Sequence, residues 1–249
     1  MNNIKLTLEY DGTNYVGWQK QKYEKDKKLR SVQGTLESII SKVLKEDVEL
    51  IGCSRTDTGV HATEYVANFF TNTTIPPEKI KYALNTKLPD DIVILDSQQV
   101  EENFHARYSS TGKTYMYSIL NREMKVAIKR NYLYQYRNEL NLDLMRQGAK
   151  YFLGTHNFEA FKNKGSSVKT SVRTIKDIRV ENDKDNIRIY ISADGFLYNM
   201  VRIMVGTLIQ VGEGRILPED IKNIIESKNR KKAGKKAPSQ GLTLVKVHY

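Results

Sequence analysis

The sequence predicts an α+β fold: two ferredoxin-like split β-α-β halves, each an antiparallel sheet flanked by helices. Two observations carry this. Alternating and helical hydrophobic spacings follow each other in the order β-α-β-β-α-β over residues 1–105, and a similar order with different lengths returns over residues 106–249. No sequence repeat relates the halves; only the order of elements does.

The first half opens on a strand at residues 3–10, with Ile4, Leu6, Leu8 and Tyr10 on one face and Lys5, Thr7 and Glu9 on the other. Residues 31–46 place Val32, Leu36, Ile39, Ile40, Val43 and Leu44 at helical spacing, with Ser31 as N-cap. Residues 48–53 and 62–71 read as strands around a polar turn, 76–87 as a helix with its prolines in the first turn, and 91–100 as a strand. In the second half, residues 113–120 are a strand and 142–153 a helix. Residues 174–180 and 186–193 form a hairpin around Asn182-Asp183-Lys184-Asp185, with Ile187, Ile189 and Ile191 facing one way. Helical periodicity runs through Leu197, Met200, Val201, Met204 and Leu208 over residues 196–211; a short helix at 218–227 and a strand at 242–247 complete the chain.

Composition narrows the function classes. The 249 residues carry 40 Lys+Arg against 29 Asp+Glu, a formal charge of +11, which points to a polyanionic partner, nucleic acid ahead of an acidic membrane. The most apolar stretch, residues 196–211, is interrupted by Asn199, Arg202 and Gly206, so no run is long enough to span a bilayer. The first residues already alternate like a strand, so no leader is expected. One cysteine, Cys53, excludes an internal disulfide framework and suits a reducing cytoplasm. The four histidines are far apart and none has a partner at metal-ligand spacing, so no metal is expected.

Basic loops separate the elements. Residues 20–30 hold six Lys/Arg and two acids, and residues 228–236 hold six Lys/Arg and no acid. Residues 122–137 set Arg122, Lys125, Lys129, Arg130 and Arg137 beside Tyr132, Tyr134 and Tyr136. Such loops can neutralise phosphates and stack on unpaired bases; the tyrosine spacing fits one face of a strand equally well.

Two familiar signatures fail. Gly112-Lys113-Thr114 ends like a P-loop, but Arg107 stands where that motif's first glycine belongs, and a strand follows instead of a helix. Asp57-Thr58-Gly59 matches the aspartic-protease triplet, yet the chain has a single copy, and Arg55 interrupts the apolar strand that should precede it. What remains is residues 52–62, G-C-S-R-T-D-T-G-V-H-A, where one strand ends and the next begins. Its small residues let a backbone approach a ligand closely.

This segment resembles the signature of the TruA family of RNA pseudouridine synthases, close to G-A-G-R-T-D-A-G-V-H-A. The likeness runs along the whole chain: residues 10–19 (Y-D-G-T-N-Y-V-G-W-Q), 31–37 (S-V-Q-G-T-L-E), 107–117 (R-Y-S-S-T-G-K-T-Y-M-Y), 196–202 (F-L-Y-N-M-V-R) and 237–242 (A-P-S-Q-G-L) match further blocks. The resemblance implies that the halves have joined antiparallel sheets with a basic cleft at the centre, and that the chain isomerises uridine to pseudouridine in RNA without metal or organic cofactor. Asp57 would be the catalytic carboxylate, by covalent addition at ribose or base or by promoting loss of uracil from C1′. Arg202 would be its ion-pair partner, and an arginine inside an apolar helix independently calls for an acid. Tyr115 would stack on the uracil. Arg55, with Lys20, Lys22, Arg107, Lys113, Lys231 and Lys232, would contact RNA, while His61 is expected to be a structural hydrogen-bonding residue.

The expected substrate is the anticodon stem-loop of tRNA, acted on by a cytoplasmic homodimer; ribosomal RNA and a non-catalytic RNA-binding role are the alternatives. Departures fall at Cys53 and Thr58, where alanines are usual, at Ser54 for a glycine, at Asn199 where histidine is common, and at Tyr108 for a common phenylalanine. Thr58 brings a hydroxyl next to the carboxylate.

Overall fold

Alternation in β1 (Asn2–Tyr10) buries Ile4, Leu6, Leu8 and Tyr10, as expected, and the rest of the first sheet is laid on this strand. The computed structural model describes residues 1–21, 30–165 and 170–249. They divide into one unit of Met1–Thr111 with Leu244–Tyr249, and another of Gly112–Thr243. In the first unit β1 is followed by α1 (Val32–Leu44), β2 (Ile51–Gly52), β3 (His61–Thr71), α2 (Pro77–Asn85) and β4 (Ile92–Val100), the expected order. β1 lies between β4 and β3 and is antiparallel to both, while β2 pairs with β3. This is the strand order of a ferredoxin-like split unit.

α1 puts Val32, Leu36, Ile40 and Leu44 on one buried face. Ser31 caps it by accepting the Gly34 N–H at 3.1 Å, and the helix stops short of the expected residue 46 because Lys45 turns left-handed at φ 57°. The strand expected over residues 48–53 shrinks to β2. The Leu50 N–H, on the edge turned away from β3, donates to the buried Glu37 carboxylate at 3.1 Å.

The second unit carries β5 (Gly112–Asn121), β6 (Tyr134–Tyr136), α3 (Leu142–Lys150), β7 (Gly154–Asn157), β8 (Val172–Asp183), β9 (Asn186–Ala193), α4 (Met200–Gly212) and α5 (Asp220–Ser227). Strands β5, β9, β8 and β7 lie side by side and antiparallel, with Tyr115 opposite Ile191 and Tyr117 opposite Ile189. The expected hairpin joins β8 and β9, closing at the Asp183–Asn186 pair with Lys184 at φ 53°. α4 is buried almost all round. It begins at Met200, not at the expected residue 196, because Asn199 sits at φ 61°, a conformation no right-handed helix admits. Gly212 lets α3 approach; a Cβ there would stand 2.9 Å from the Met145 side chain.

β6 and β7 are additions to the expected order, being too short to show a period. β6 runs parallel to the end of β5 and settles the tyrosine run in favour of a strand for two of its three members. Tyr134 and Tyr136 meet edge to face, and the Tyr136 phenol is pushed up to about 12 by burial and by its hydrogen bond to Glu213. The last strand, β10 (Leu242–His248), lies beside β3. No helix among the described residues is long and apolar enough to cross a membrane.

The Ser31 cap gives a direct check on α1. Ser31→Ala should cost about 1 kcal/mol of unfolding free energy in a denaturant titration, with Ser31→Asp close to native.

Candidate active site

Residues 53–60 leave β2 and double back into β3, and a second segment moulds them. The Trp18 N–H donates to Thr56 O at 3.2 Å, and the Gly59 N–H to Tyr15 O at 3.3 Å. Thr58 Oγ1 donates to Val16 O at 3.1 Å. This approach needs a glycine. Gly17 is at φ 106°, and a Cβ on it would stand 2.4 Å from Thr56 O. From inside, the Thr56 hydroxyl shares a 2.8 Å hydrogen bond with Tyr10, and the Tyr65 hydroxyl donates to Ser54 O. The Trp18 and Tyr65 rings stack at 3.9 Å, filling the space a Cβ on Gly52 would need.

Asp57 therefore sits, half-buried, at the first position of a turn closed by the Val60 N–H on Asp57 O at 3.2 Å. Gly59, at φ 75°, is the third residue, where a type II turn requires positive φ. Arg55 is exposed on the same loop. The departures are absorbed by the frame: Cys53 is buried with its N–H on Val66 O, and the Thr58 hydroxyl donates to the opposing backbone.

His61 has the structural surroundings expected of it. Its buried Nδ1 lies 3.0 Å from the Gly12 N–H and 3.1 Å from Asp11 Oδ1. A backbone N–H can only donate, so Nδ1 accepts from Gly12. Asp11 Oδ1 instead receives the Thr13 N–H at 2.9 Å and caps the short turn of Gly12–Asn14. The imidazole thus ties the end of the Asp57 segment to the segment that moulds it.

Tyr115 and Arg202 belong to the second unit. Tyr115 is buried on β5 and meets Phe196 edge to face at 5.2 Å. Arg202 is 8% exposed on the first turns of α4, and its Nε donates to Ala237 O at 2.7 Å. The Ala237 N–H returns to Arg202 O at 3.0 Å, so the arginine is clamped at both ends of its residue. The segment providing Ala237 lies against α4 at van der Waals limits. A Cβ on Gly206 would stand 1.7 Å from Lys235 O, and the Gly234 N–H donates to Thr207 Oγ1 at 2.9 Å. Beside Arg202, Tyr117 donates to Pro238 O at 2.7 Å; burial holds its phenol above the ordinary tyrosine value, partly offset by the Arg202 charge.

Asn199 explains its own departure from the usual histidine: its Oδ1 accepts from Asn163 Nδ2 at 2.7 Å. Asn163 Oδ1 in turn accepts from Arg230 Nε at 3.2 Å, and Arg230 also donates to the carbonyls of Ala233 and Gly234. Burial draws Arg230 below the ordinary arginine value. Sequence reasoning passes over Asn163, Gly17 and Thr56 and counts Arg230 only among the cations of the 228–236 run; Gly17 and Thr56 lie in blocks it singles out, whereas Asn163 carries no motif.

The expected RNA contacts fall in different settings. Arg107, Lys231 and Lys232 are exposed. Lys20 is largely exposed and paired with Glu37 at 3.2 Å, whereas Lys113 is buried on β5. Lys22, with most of the 20–30 run, lies outside the described residues. Among the described residues, no three His, Cys, Asp or Glu side chains are grouped as a metal site needs.

The class defined so far is an α+β protein with a β-α-β-β-α-β unit that presents one carboxylate on a clamped, glycine-shaped turn. A family model described as tRNA pseudouridine synthase matches residues 7–109 and 149–249, stretches that contain Asp57 and Arg202 but not Tyr115. A tRNA pseudouridine synthase A of Clostridium acetobutylicum is 55% identical over 249 residues, all of both chains. A tRNA pseudouridine synthase A 2 of Clostridium perfringens is 57% identical over the same full length, and the tRNA pseudouridine synthase A of Acetivibrio thermocellus 53%. The chain belongs to the tRNA pseudouridine synthase family and is by class an RNA pseudouridine synthase, an isomerase.

If the Gly17 approach sets the loop, Gly17→Ala must push Thr56 and its neighbour Asp57 aside. A displacement near 1 Å can cost about 100-fold in rate, so single-turnover assays on tRNA should show a decrease of that order, with the far-ultraviolet circular dichroism unchanged.

Proposed function

We propose that the protein converts uridine to pseudouridine in the anticodon stem-loop of tRNA, using Asp57 as its one catalytic carboxylate. The observation that carries this reading is the setting of Asp57 in a chain whose full-length relatives are named for the reaction on tRNA: a half-buried carboxylate on a turn clamped by a second segment.

The reaction is a rearrangement. The C1′–N1 bond breaks and a C1′–C5 bond forms, while C5 loses a proton and N1 gains one, so the balance closes without oxidant or reductant. A carboxylate held against the sugar or base of an extruded nucleotide serves either route, covalent addition or assisted departure of uracil. In this reading Arg202 has the role of ion-pair partner that orients the Asp57 carboxylate, and Tyr115 that of stacking on the uracil. Arg55, Lys20, Lys22, Arg107, Lys113, Lys231 and Lys232 contact the RNA, and the active species is a homodimer in the cytoplasm.

Asp57→Asn and Asp57→Ala should abolish pseudouridine formation while tRNA still binds; turnover by either variant removes Asp57 from the chemistry. Mapping pseudouridine in every RNA of a strain lacking the protein should show losses confined to anticodon stem-loops, and losses in ribosomal RNA would move the substrate there.

Replacing Lys231 and Lys232 together by glutamine should weaken tRNA binding and lower the slope of log K against log salt by about two, one for each phosphate left without its lysine. Filter binding between low and physiological salt measures it.

A further inference from the structure

Tyr108 is 76% exposed, the most exposed aromatic side chain among the described residues, and packs into no core. Yet the turn that carries it is held at every position. The His105 N–H donates to Ser109 Oγ at 3.0 Å, and the Ser109 N–H returns to His105 O at 2.9 Å. The Arg107 and Tyr108 N–H groups both donate to His105 Nδ1, at 3.1 and 3.2 Å. Ala106 between them is fully buried: its N–H donates to Asn68 Oδ1 at 2.8 Å and its carbonyl accepts from the Tyr249 hydroxyl at 2.7 Å. Asn68 lies on β3, the strand that continues directly from the Asp57 loop. The turn and the Asp57 loop are therefore parts of one rigid frame within the first unit.

Around the exposed ring the planar groups converge. The His105 imidazole lies 4.3 Å from its centroid, and the Arg107 guanidinium lies over the ring at 5.6 Å. A tyrosine kept in water by a fixed backbone gains the fold no burial, but it can offer a π-face whose ordering cost is already met. An unpaired base stacks on such a face, and the adjacent guanidinium suits the phosphate that comes with it.

We infer that Tyr108, with Arg107 beside it, is a stacking seat for an unpaired nucleobase of the substrate RNA. The inference rests on the reading of the chain as an enzyme of tRNA, and it adds a mode of recognition that does not depend on charge. Removing a stacked ring is worth about 5- to 100-fold in affinity. The ring neutralises no phosphate, so its removal leaves the salt slope alone.

The test is filter binding of the full-length protein to unmodified tRNA across a salt series. Tyr108→Phe should bind as the native protein does, whereas Tyr108→Ala and Tyr108→Leu should bind about 5- to 100-fold more weakly with an unchanged salt slope. Arg107→Gln should instead lower the slope by about one. The seat is overturned if Tyr108→Leu matches Tyr108→Phe, if Tyr108→Ala keeps native affinity, or if weaker binding comes with a lower slope. Should the alanine variant not fold, the leucine and phenylalanine pair decides alone. Native protein that fails to bind tRNA would refute the functional reading itself; native binding untouched by Tyr108→Ala refutes only the seat.

Discussion

The clamp between residues 15–18 and residues 56–59 is the constraint on which the shape of the Asp57 loop depends. A carboxylate on a free loop would have to be ordered each time it met a ligand, a backbone cost of about 1–2 kcal/mol per residue. Here the ordering is built into folding. Two backbone N–H groups and one hydroxyl cross between the segments, and Gly17 removes a Cβ that would stand in the way. The clamp itself hangs on the sheet: the Tyr10 hydroxyl reaches Thr56 from the end of β1, and Tyr65 holds Ser54 from β3. The bulge in β1 between Leu8 and Tyr10 falls at that same end, where pairing resumes with Tyr10 opposite Ala62.

The second unit solves the opposite problem. Arg202 occupies a position where nearly every neighbour on α4 is apolar, and a guanidinium there is costly unless its donors are met. The Ala237 carbonyl accepts from Nε at close range, where the backbone of this segment approaches α4 because Gly206 and Gly234 carry no side chain. The same segment carries much of the chain's densest positive charge, with Lys231, Lys232, Lys235 and Lys236 turned outward. One stretch of chain thus fixes a buried cation through one carbonyl and offers exposed cations through its side chains.

How much of this is legible in the sequence depends on the range of each interaction. Periodicity marks β1, α1, β3, α2, β4, β5, β8, β9 and β10, because their burial patterns repeat over several residues. It fails where a single residue overrides the pattern. Asn199 delays the start of α4 although residues 196–199 look helical. The Asp57 loop stands out as a motif, but the reason for its shape does not, since the Trp18–Thr56 and Tyr15–Gly59 bonds join residues far apart in the chain. The contacts of Asn163 with Asn199 and Arg230 are illegible for the same reason. An amide pair and a half-buried arginine leave no period, and only the fold brings them together.

The net charge of +11 is therefore not one quantity. Some cations are used by the fold: Lys20 on Glu37, Lys81 on Asp96, Arg146 on Asp143 and Arg230 on neutral acceptors. Surface pairs of this kind add little stability and soften in salt, so their value lies more in where they hold a segment than in energy. The Lys20–Glu37 pair, for instance, sits just beyond the Trp18 clamp and on the α1 face that also receives Leu50. The exposed cations act at long range, where attraction is steep but blind to sequence. Discrimination among RNAs must then come from interactions that salt does not weaken: shape, extrusion of one nucleotide and stacking. A rigid turn with an aromatic ring held in solvent meets that requirement better than another lysine would.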